Sequence, residues 1–132
     1  MSQLFTAAWM NALKEEWNKT PQVFEHLEKE GFSSRIGYGF KGEAYARGFI
    51  SVVNGKVAQA GVNDDFELDW DLRASPEDWA KWIETGFGLS KLGPAISTNA
   101  LHFEKGNYRQ MIKNLSLSQP FLHHFSLMQN IR

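Results

Sequence analysis

The spacing of apolar residues changes period several times along the chain, and each change marks an element. Trp9, Leu13 and Trp17 recur at every fourth position with Met10 beside them, while Lys14, Glu15 and Glu16 face away, so an amphipathic helix opens the chain. Thr20-Pro21 predicts a second, short helix, with threonine as cap and proline in the first helical position. Phe24 and Leu27 mark its apolar side, and Gly31 is its stop. The period then drops to two. In Ile36-Gly37-Tyr38-Gly39-Phe40 large residues alternate with glycine, a strand with one nearly bare face. Phe49–Val53 and Lys56–Gly61 read as two more strands, joined by Asn54-Gly55, which tolerate positive φ and suit a two-residue hairpin. After Asn63-Asp64-Asp65, the residues Phe66, Leu68, Trp70 and Leu72 alternate with Glu67, Asp69, Asp71 and Arg73. That pattern predicts a fourth strand with one buried aromatic face and one wet face.

Helical spacing returns at Ser75-Pro76-Glu77-Asp78, an N-cap followed by proline and first-turn acids. Trp79, Trp82 and Ile83 form the apolar face of this helix, and Gly86 and Gly88 break it. Leu89 to Ala95 reads as a short helix ended by Gly93-Pro94, and Ala100 to Glu104 as a short strand with Leu101 and Phe103 on one side. After Gly106-Asn107, Tyr108, Met111, Ile112 and Leu115 keep helical spacing. Ser118-Gln119-Pro120 opens a last helix with Phe121, Leu122, Phe125 and Met128 on one face. The order is α-α-β-β-β-β-α-α-β-α-α. Short turns between consecutive strands and helices in clusters predict an α+β domain, with a mainly antiparallel sheet and helices over one face.

Composition sharpens this picture. A chain of 132 residues fits one domain spanning 1–132, long enough to bury a real core. Its apolar share of 42% and charged share of 22% argue against disorder. Five tryptophans, ten phenylalanines and three tyrosines are many rings for so small a domain, enough to fill a core and to line a ligand cavity. A net charge of -1 without a lysine or arginine run argues against a nucleic-acid partner. The absence of cysteine rules out disulfides, thiolate chemistry and cysteine-based metal sites, and fits a cytoplasmic protein. The first residues lack the basic-then-apolar pattern of a secretory signal, and no uncharged apolar run reaches the roughly 18 residues of a membrane span.

Motifs that carry chemistry are scarce. Glu67, Asp69 and Asp71 share a face of the fourth strand, but without a complementary ligand pattern they read as a solvated face. His26, His102, His123 and His124 show no metal-binding spacing, and the adjacent pair points in different directions. No serine sits in a nucleophile elbow, and Gly37, Gly39 and Gly42 belong to a strand pattern rather than a phosphate loop. Lys41, Arg47 and Lys56 near the hairpins are candidates to meet a carboxylate or phosphate headgroup, with surface solvation as the ordinary reading. No catalytic set, metal site or cofactor is implied. An enzyme acting on an apolar substrate would have to use His102 or Tyr108, neither in a recognised constellation.

The order and its punctuation resemble the sterol carrier protein type 2 family of lipid-carrier domains over roughly residues 9–129. The resemblance rests on the early helix ending Trp17-Asn18, the strand Ile36 to Phe40, and the hairpin Val52-Val53-Asn54-Gly55-Lys56-Val57. It continues through Phe66-Glu67-Leu68-Asp69-Trp70, Ser75-Pro76-Glu77-Asp78-Trp79, Gly86 and Phe103-Glu104-Lys105-Gly106-Asn107. It implies a five-stranded sheet covered by helices, an apolar tunnel between them, and non-enzymatic binding or transfer of a sterol, fatty acid, acyl-CoA or similar lipid. By region, the strand positions expected to line that tunnel are Phe40, Ile50, Val52, Leu68, Trp70 and Phe103. From the middle helices come Trp79, Trp82, Ile83 and Leu89, then Met111 and Leu115. The last helix supplies Phe121, Phe125 and Met128 and is either a movable lid or a fixed core helix. Asn107 stands where the family often has an acid, and the ending Gln129-Asn130-Ile131-Arg132 is not a peroxisomal targeting tripeptide. The expected partner is a lipid or other apolar small molecule, with transient membrane contact allowed and oligomeric state left open. The alternative is an interaction or dimerisation module with a vestigial cavity.

Overall fold

The computed structural model describes residues 4–62, 67–85, 94–106, 113 and 115–131. Helices α1 (Ala7–Asn18) and α2 (Pro21–Lys29) lead into strands β1 (Ser34–Phe40), β2 (Gly48–Val53), β3 (Lys56–Val62) and β4 (Trp70–Ala74). Helix α3 (Pro76–Thr85), strand β5 (His102–Lys105) and helix α4 (Leu115–Leu127) follow, and a tight helical turn at Met128–Asn130 extends α4. The five strands lie in the order β3-β2-β1-β4-β5. Pairing is antiparallel at β1–β2, β2–β3 and β4–β5 and parallel at β1–β4, so the α+β fold carries a mixed sheet. The parallel pair arises because the chain builds outward from β1 through β3 and then returns to the other side of β1.

The alternation in β1 divides the sheet into two faces. Ile36, Tyr38 and Phe40 join Ile50, Val52, Leu72 and Ala74 in the core shared with helices α1 to α4. Gly37 and Gly39 open the other face. A side chain at Gly37 would strike Leu68, and one at Gly39 would strike the Ala46 backbone at 2.8 Å and Arg73 at 3.2 Å. The bare face is therefore occupied by neighbours that lie flat on the strand.

Helix α1 is held by its predicted face, with Trp9, Met10, Leu13 and Trp17 buried, and by Thr6, whose hydroxyl accepts from Trp9 N–H at 3.2 Å. Its end is pinned to the sheet. The Asn18 amide donates to Val57 C=O (2.9 Å) and accepts from Val57 N–H (2.8 Å), and the Trp17 indole donates to Gly55 C=O (2.8 Å). The Asn54-Gly55 hairpin forms as expected, with φ of 49° and 89°.

Several expectations are corrected. Thr20 does not cap α2 through its side chain; the hydroxyl instead donates to Glu16 C=O at the end of α1. The buried residues of α2 are Val23 and Leu27, and Phe24 is half-buried beneath the Lys56 ammonium, 4.6 Å from its ring centre. Strand β4 begins at Trp70, so the alternation from Leu68 does not continue through it; Leu68 packs with Ala46 and Phe49 on the opposite face. That face is not wet either, since Asp71 and Arg73 are both buried. Helix α4 starts at Leu115 rather than at Ser118, and runs through Pro120. The first four N–H groups of a helix have no internal partner, so a proline just beyond them removes one bond. Gly86, Gly88, Leu89 and Gly93 lie outside the described residues, as do Phe66, Asn107, Tyr108, Met111, Ile112 and the side chain of Leu115.

Candidate functional site

Two aromatic groups meet across the central strand. The first surrounds the end of β1. Ser75 caps α3 by accepting from Asp78 N–H at 3.1 Å, which turns Trp79 into the core. There the Trp79 indole donates to Gly39 C=O at 2.8 Å. Phe5 packs edge-on to Trp79 and Trp9, both at 5.2 Å, and stacks on Tyr38 at 5.8 Å. Phe5 holds this place from a left-handed backbone conformation, φ 65°, just ahead of the Thr6 cap.

The second group lies over β4 and β5. Trp70, Phe103 and Phe121 form a triangle with ring separations of 5.9, 6.2 and 6.2 Å, and all three rings are half-buried. Phe121 also touches Phe125 at 5.0 Å and His124 at 5.3 Å. A ring at Trp70 has room because Gly106, at φ 112°, lies against it; a Cβ there would sit 2.2 Å from the indole.

Between the groups sits a buried polar pair. The Tyr38 hydroxyl lies 2.9 Å from His124 Nε2, and both side chains are fully enclosed. His124 Nδ1 faces Phe121 C=O, and the Trp17 ring lies 5.4 Å from the imidazole. Burial lowers the His124 pKa to about 4, against a smaller opposing pull from Phe121 C=O, and burial raises that of Tyr38. Both groups are neutral at physiological pH.

A pH dependence follows. An unfolded chain protonates this histidine near 6.5, whereas the folded one keeps it neutral down to about 4. The unfolded state therefore binds more protons in that window, and stability falls as pH drops through it. The expected loss between pH 6.5 and 4 is about 3 kcal/mol from this residue. Urea midpoints across that range check it: the slope should flatten in His124→Gln, and an unchanged slope would refute it.

On the reverse face, Arg73 Nε and Nη2 donate to the two Asp71 carboxylate oxygens at 2.6 and 3.0 Å, and Nη1 donates to Glu43 C=O at 2.8 Å. This pair fastens the β1–β2 loop over the glycines. Asp69 has a separate task, accepting from Arg35 N–H at 2.9 Å and from the Ser34 hydroxyl at 3.3 Å. The three acids expected on one strand face are thus not a cluster. Among the described residues, no group of acids and histidines is arranged to hold a metal ion.

The expected cation group is dispersed too. Lys41 donates to Asn99 C=O, and Arg47 pairs with Glu43 at 2.7 Å beside the Phe40 ring. Lys56, at the far end of β2, stands 3.9 Å from Glu28. His102 bonds to Asn99 and Glu104 on the surface of β5.

Of the positions read as cavity lining, Phe40, Ile50, Val52, Trp79, Trp82, Phe125 and Met128 are buried in the main core. Trp70, Ile83, Phe103 and Phe121 pack against it partly buried, and Leu68 lies on the reverse face. Met128 and Phe125 are enclosed, so α4 is a core helix in this structure. No family model matches the sequence, and no curated protein matches it. Solved structures do. The chain superposes on sterol carrier protein 2 with a TM-score of 0.75 at 16% identity, covering 98% of this chain and 100% of the other. This chain has the sterol carrier protein 2 fold. A conserved hypothetical protein from Thermus thermophilus, suggested to be a sterol carrier protein, matches at TM-score 0.68 and 14% identity over 97% of this chain and 89% of its own. A ubiquinone synthesis protein, UbiJ-SCP2, matches at TM-score 0.60 and 14% identity over 98% and 97%.

Within the sterol carrier protein 2 fold, the residues that sequence reasoning missed are the Tyr38–His124 pair and the anchor Phe5. Tyr38 lies on the large-residue face of β1, and His124 is three positions beyond Phe121 on the apolar face of α4. Those two periodicities together were the available signal.

Proposed function

We propose that the protein binds and carries a lipid-like molecule in its aromatic interior, without catalysing a reaction. The observation that carries this reading is the half-buried triangle Trp70–Phe103–Phe121 at the margin of a deep apolar core, in a chain that shares the sterol carrier protein 2 fold along nearly its full length. Of the lining expected from the sequence, seven residues from Phe40 to Met128 belong to that core and Trp70, Ile83, Phe103 and Phe121 pack against it; Leu89, Met111 and the Leu115 side chain lie outside the described residues. Among the described residues, no helix is long and apolar enough to cross a membrane. The buried charged pair is engaged in holding the fold, Arg73 donating to Asp71 and to Glu43 C=O.

Burial of each methylene contributes about 0.8 kcal/mol, so an acyl chain of about a dozen carbons gains on the order of 10 kcal/mol before the costs of association. Such binding tolerates many headgroups, and fatty acids, acyl-CoA, sterols and polyprenyl quinones are all candidates. The quinone class enters because one structural neighbour is a ubiquinone synthesis protein. A cytoplasmic carrier with transient membrane contact is the setting we propose.

The test is native mass spectrometry of the purified protein followed by lipid extraction of the same sample. A discrete added mass that extracts as a lipid is the expected result. A bare protein mass, with no uptake from a panel of these lipids, would remove the reading and favour an interaction module.

A further inference from the structure

The lipid-binding reading leaves a question about the centre of the core: why a phenol and an imidazole stand where two phenyl rings would fill similar space. A neutral buried polar pair loses its hydration on folding and regains little net stability from its own hydrogen bond. The geometry of the pair restricts what it can do. A carbonyl only accepts, so His124 Nδ1, facing Phe121 C=O, carries the imidazole proton. With the ring neutral, Nε2 has a lone pair and no hydrogen, and the Tyr38 hydroxyl must donate to it across 2.9 Å. Tyr38 has then used its single proton. Its oxygen can still accept, and no donor for it is found among the described residues.

We infer that Tyr38 and His124 form a subsite that accepts a hydrogen bond from a hydroxyl-bearing lipid, an alcohol or phenol, and discriminates against the ether, ester or ketone of the same skeleton. The inference rests on the lipid-binding reading and names the ligand group that reading leaves open. The route inward is short. Phe121 touches His124 on one side and the half-buried Trp70 and Phe103 rings on the other, so the polar pair lies one ring in from the margin of the core. A ligand whose apolar body spreads over Trp70, Phe103 and Phe121 places its end group at Tyr38. A hydroxyl there donates to the phenolic oxygen, which has no other donor among the described residues. An ether or ketone brings a second acceptor against the phenolic oxygen and finds no proton, because the Phe121 carbonyl fixes the tautomer that orients the phenol. A pair that only tied α4 to β1 would make no such distinction between ligands.

The experiment compares dodecanol with dodecyl methyl ether on delipidated protein, read by quenching of tryptophan fluorescence; Trp17 and Trp70 both lie beside the site. The unsubstituted protein is expected to bind the alcohol about tenfold more tightly than the ether. The double variant Tyr38→Phe/His124→Phe, which removes the phenol oxygen and the imidazole nitrogen it would leave as a substitute acceptor, is expected to bring the two affinities together by weakening the alcohol alone. Equal affinities in the unsubstituted protein would overturn the inference and leave the lipid-carrier reading intact, with no variant needed. A preference that survives in the double variant would overturn it as well. Failure of both probes to bind would remove the carrier reading and the inference with it.

Discussion

Gly55→Ala is expected to destabilise the protein by about 3 kcal/mol or more, a large share of the stability of a domain this size. Three demands meet at this residue. Its φ of 89° lies where an L side chain is strained. A Cβ would stand 2.5 Å from the Glu28 backbone nitrogen and 2.9 Å from its Cα, atoms that cannot rotate away. Its own backbone groups are committed, N–H to Phe32 C=O at 2.8 Å and C=O to the Trp17 indole at 2.8 Å. Any shift that relieves the clash with α2 therefore loosens both bonds. Gly42 supplies the control, with φ of 88° and nothing within 4 Å of a Cβ. Gly42→Ala should cost only the backbone strain, about 1 kcal/mol. Denaturant midpoints of the two variants measure the difference, and equal losses would show that the contact with α2 is not what makes Gly55 necessary.

The buried pair Asp71–Arg73 should behave differently when broken and when replaced. Arg73→Met leaves a carboxylate that is 8% exposed without its two guanidinium bonds, and the expected loss is about 3–5 kcal/mol. Adding Asp71→Ala to it removes the orphaned charge and should recover half or more of that loss. Glu43 C=O loses its Arg73 donor in both variants, so it cancels in the comparison. If single and double variants unfold at the same denaturant concentration, the cost lies in the lost packing of the arginine stem over Gly39 rather than in the unpaired charge.

How far the sequence could be read depended on whether a signal was local. The hairpin at Asn54-Gly55, the cap at Ser75 and the buried face of α1 depend on residues within a few positions of each other, and they formed where expected. The glycines of β1 were legible as a bare face, but not what fills it, because Leu68 and Arg73 are distant in the chain and reach the glycines only through the β1–β4 pairing. The strict alternation from Phe66 to Arg73 suggested an amphipathic strand. Pairing decided otherwise: β4 starts at Trp70, opposite Ile36, and its charged residues point to a face closed by the β1–β2 loop. The sequence shows His123 and His124 as an adjacent pair pointing in different directions, without saying which of them is buried. Only the packing of α4 against the strand that carries Tyr38 separates a buried imidazole from its exposed neighbour His123.

The strand order also has a kinetic side. The meander β1–β2–β3 uses contacts between segments close in the chain. The parallel ladder from Ile36–Trp70 to Phe40–Ala74 must instead close over the whole intervening meander, and α4 reaches Tyr38 from further still. Loop-closure entropy delays such contacts. The Trp70–Phe103–Phe121 triangle is assembled entirely from that late half. A chain emerging from synthesis thus completes a three-stranded platform before it has the rings that would hold an apolar guest.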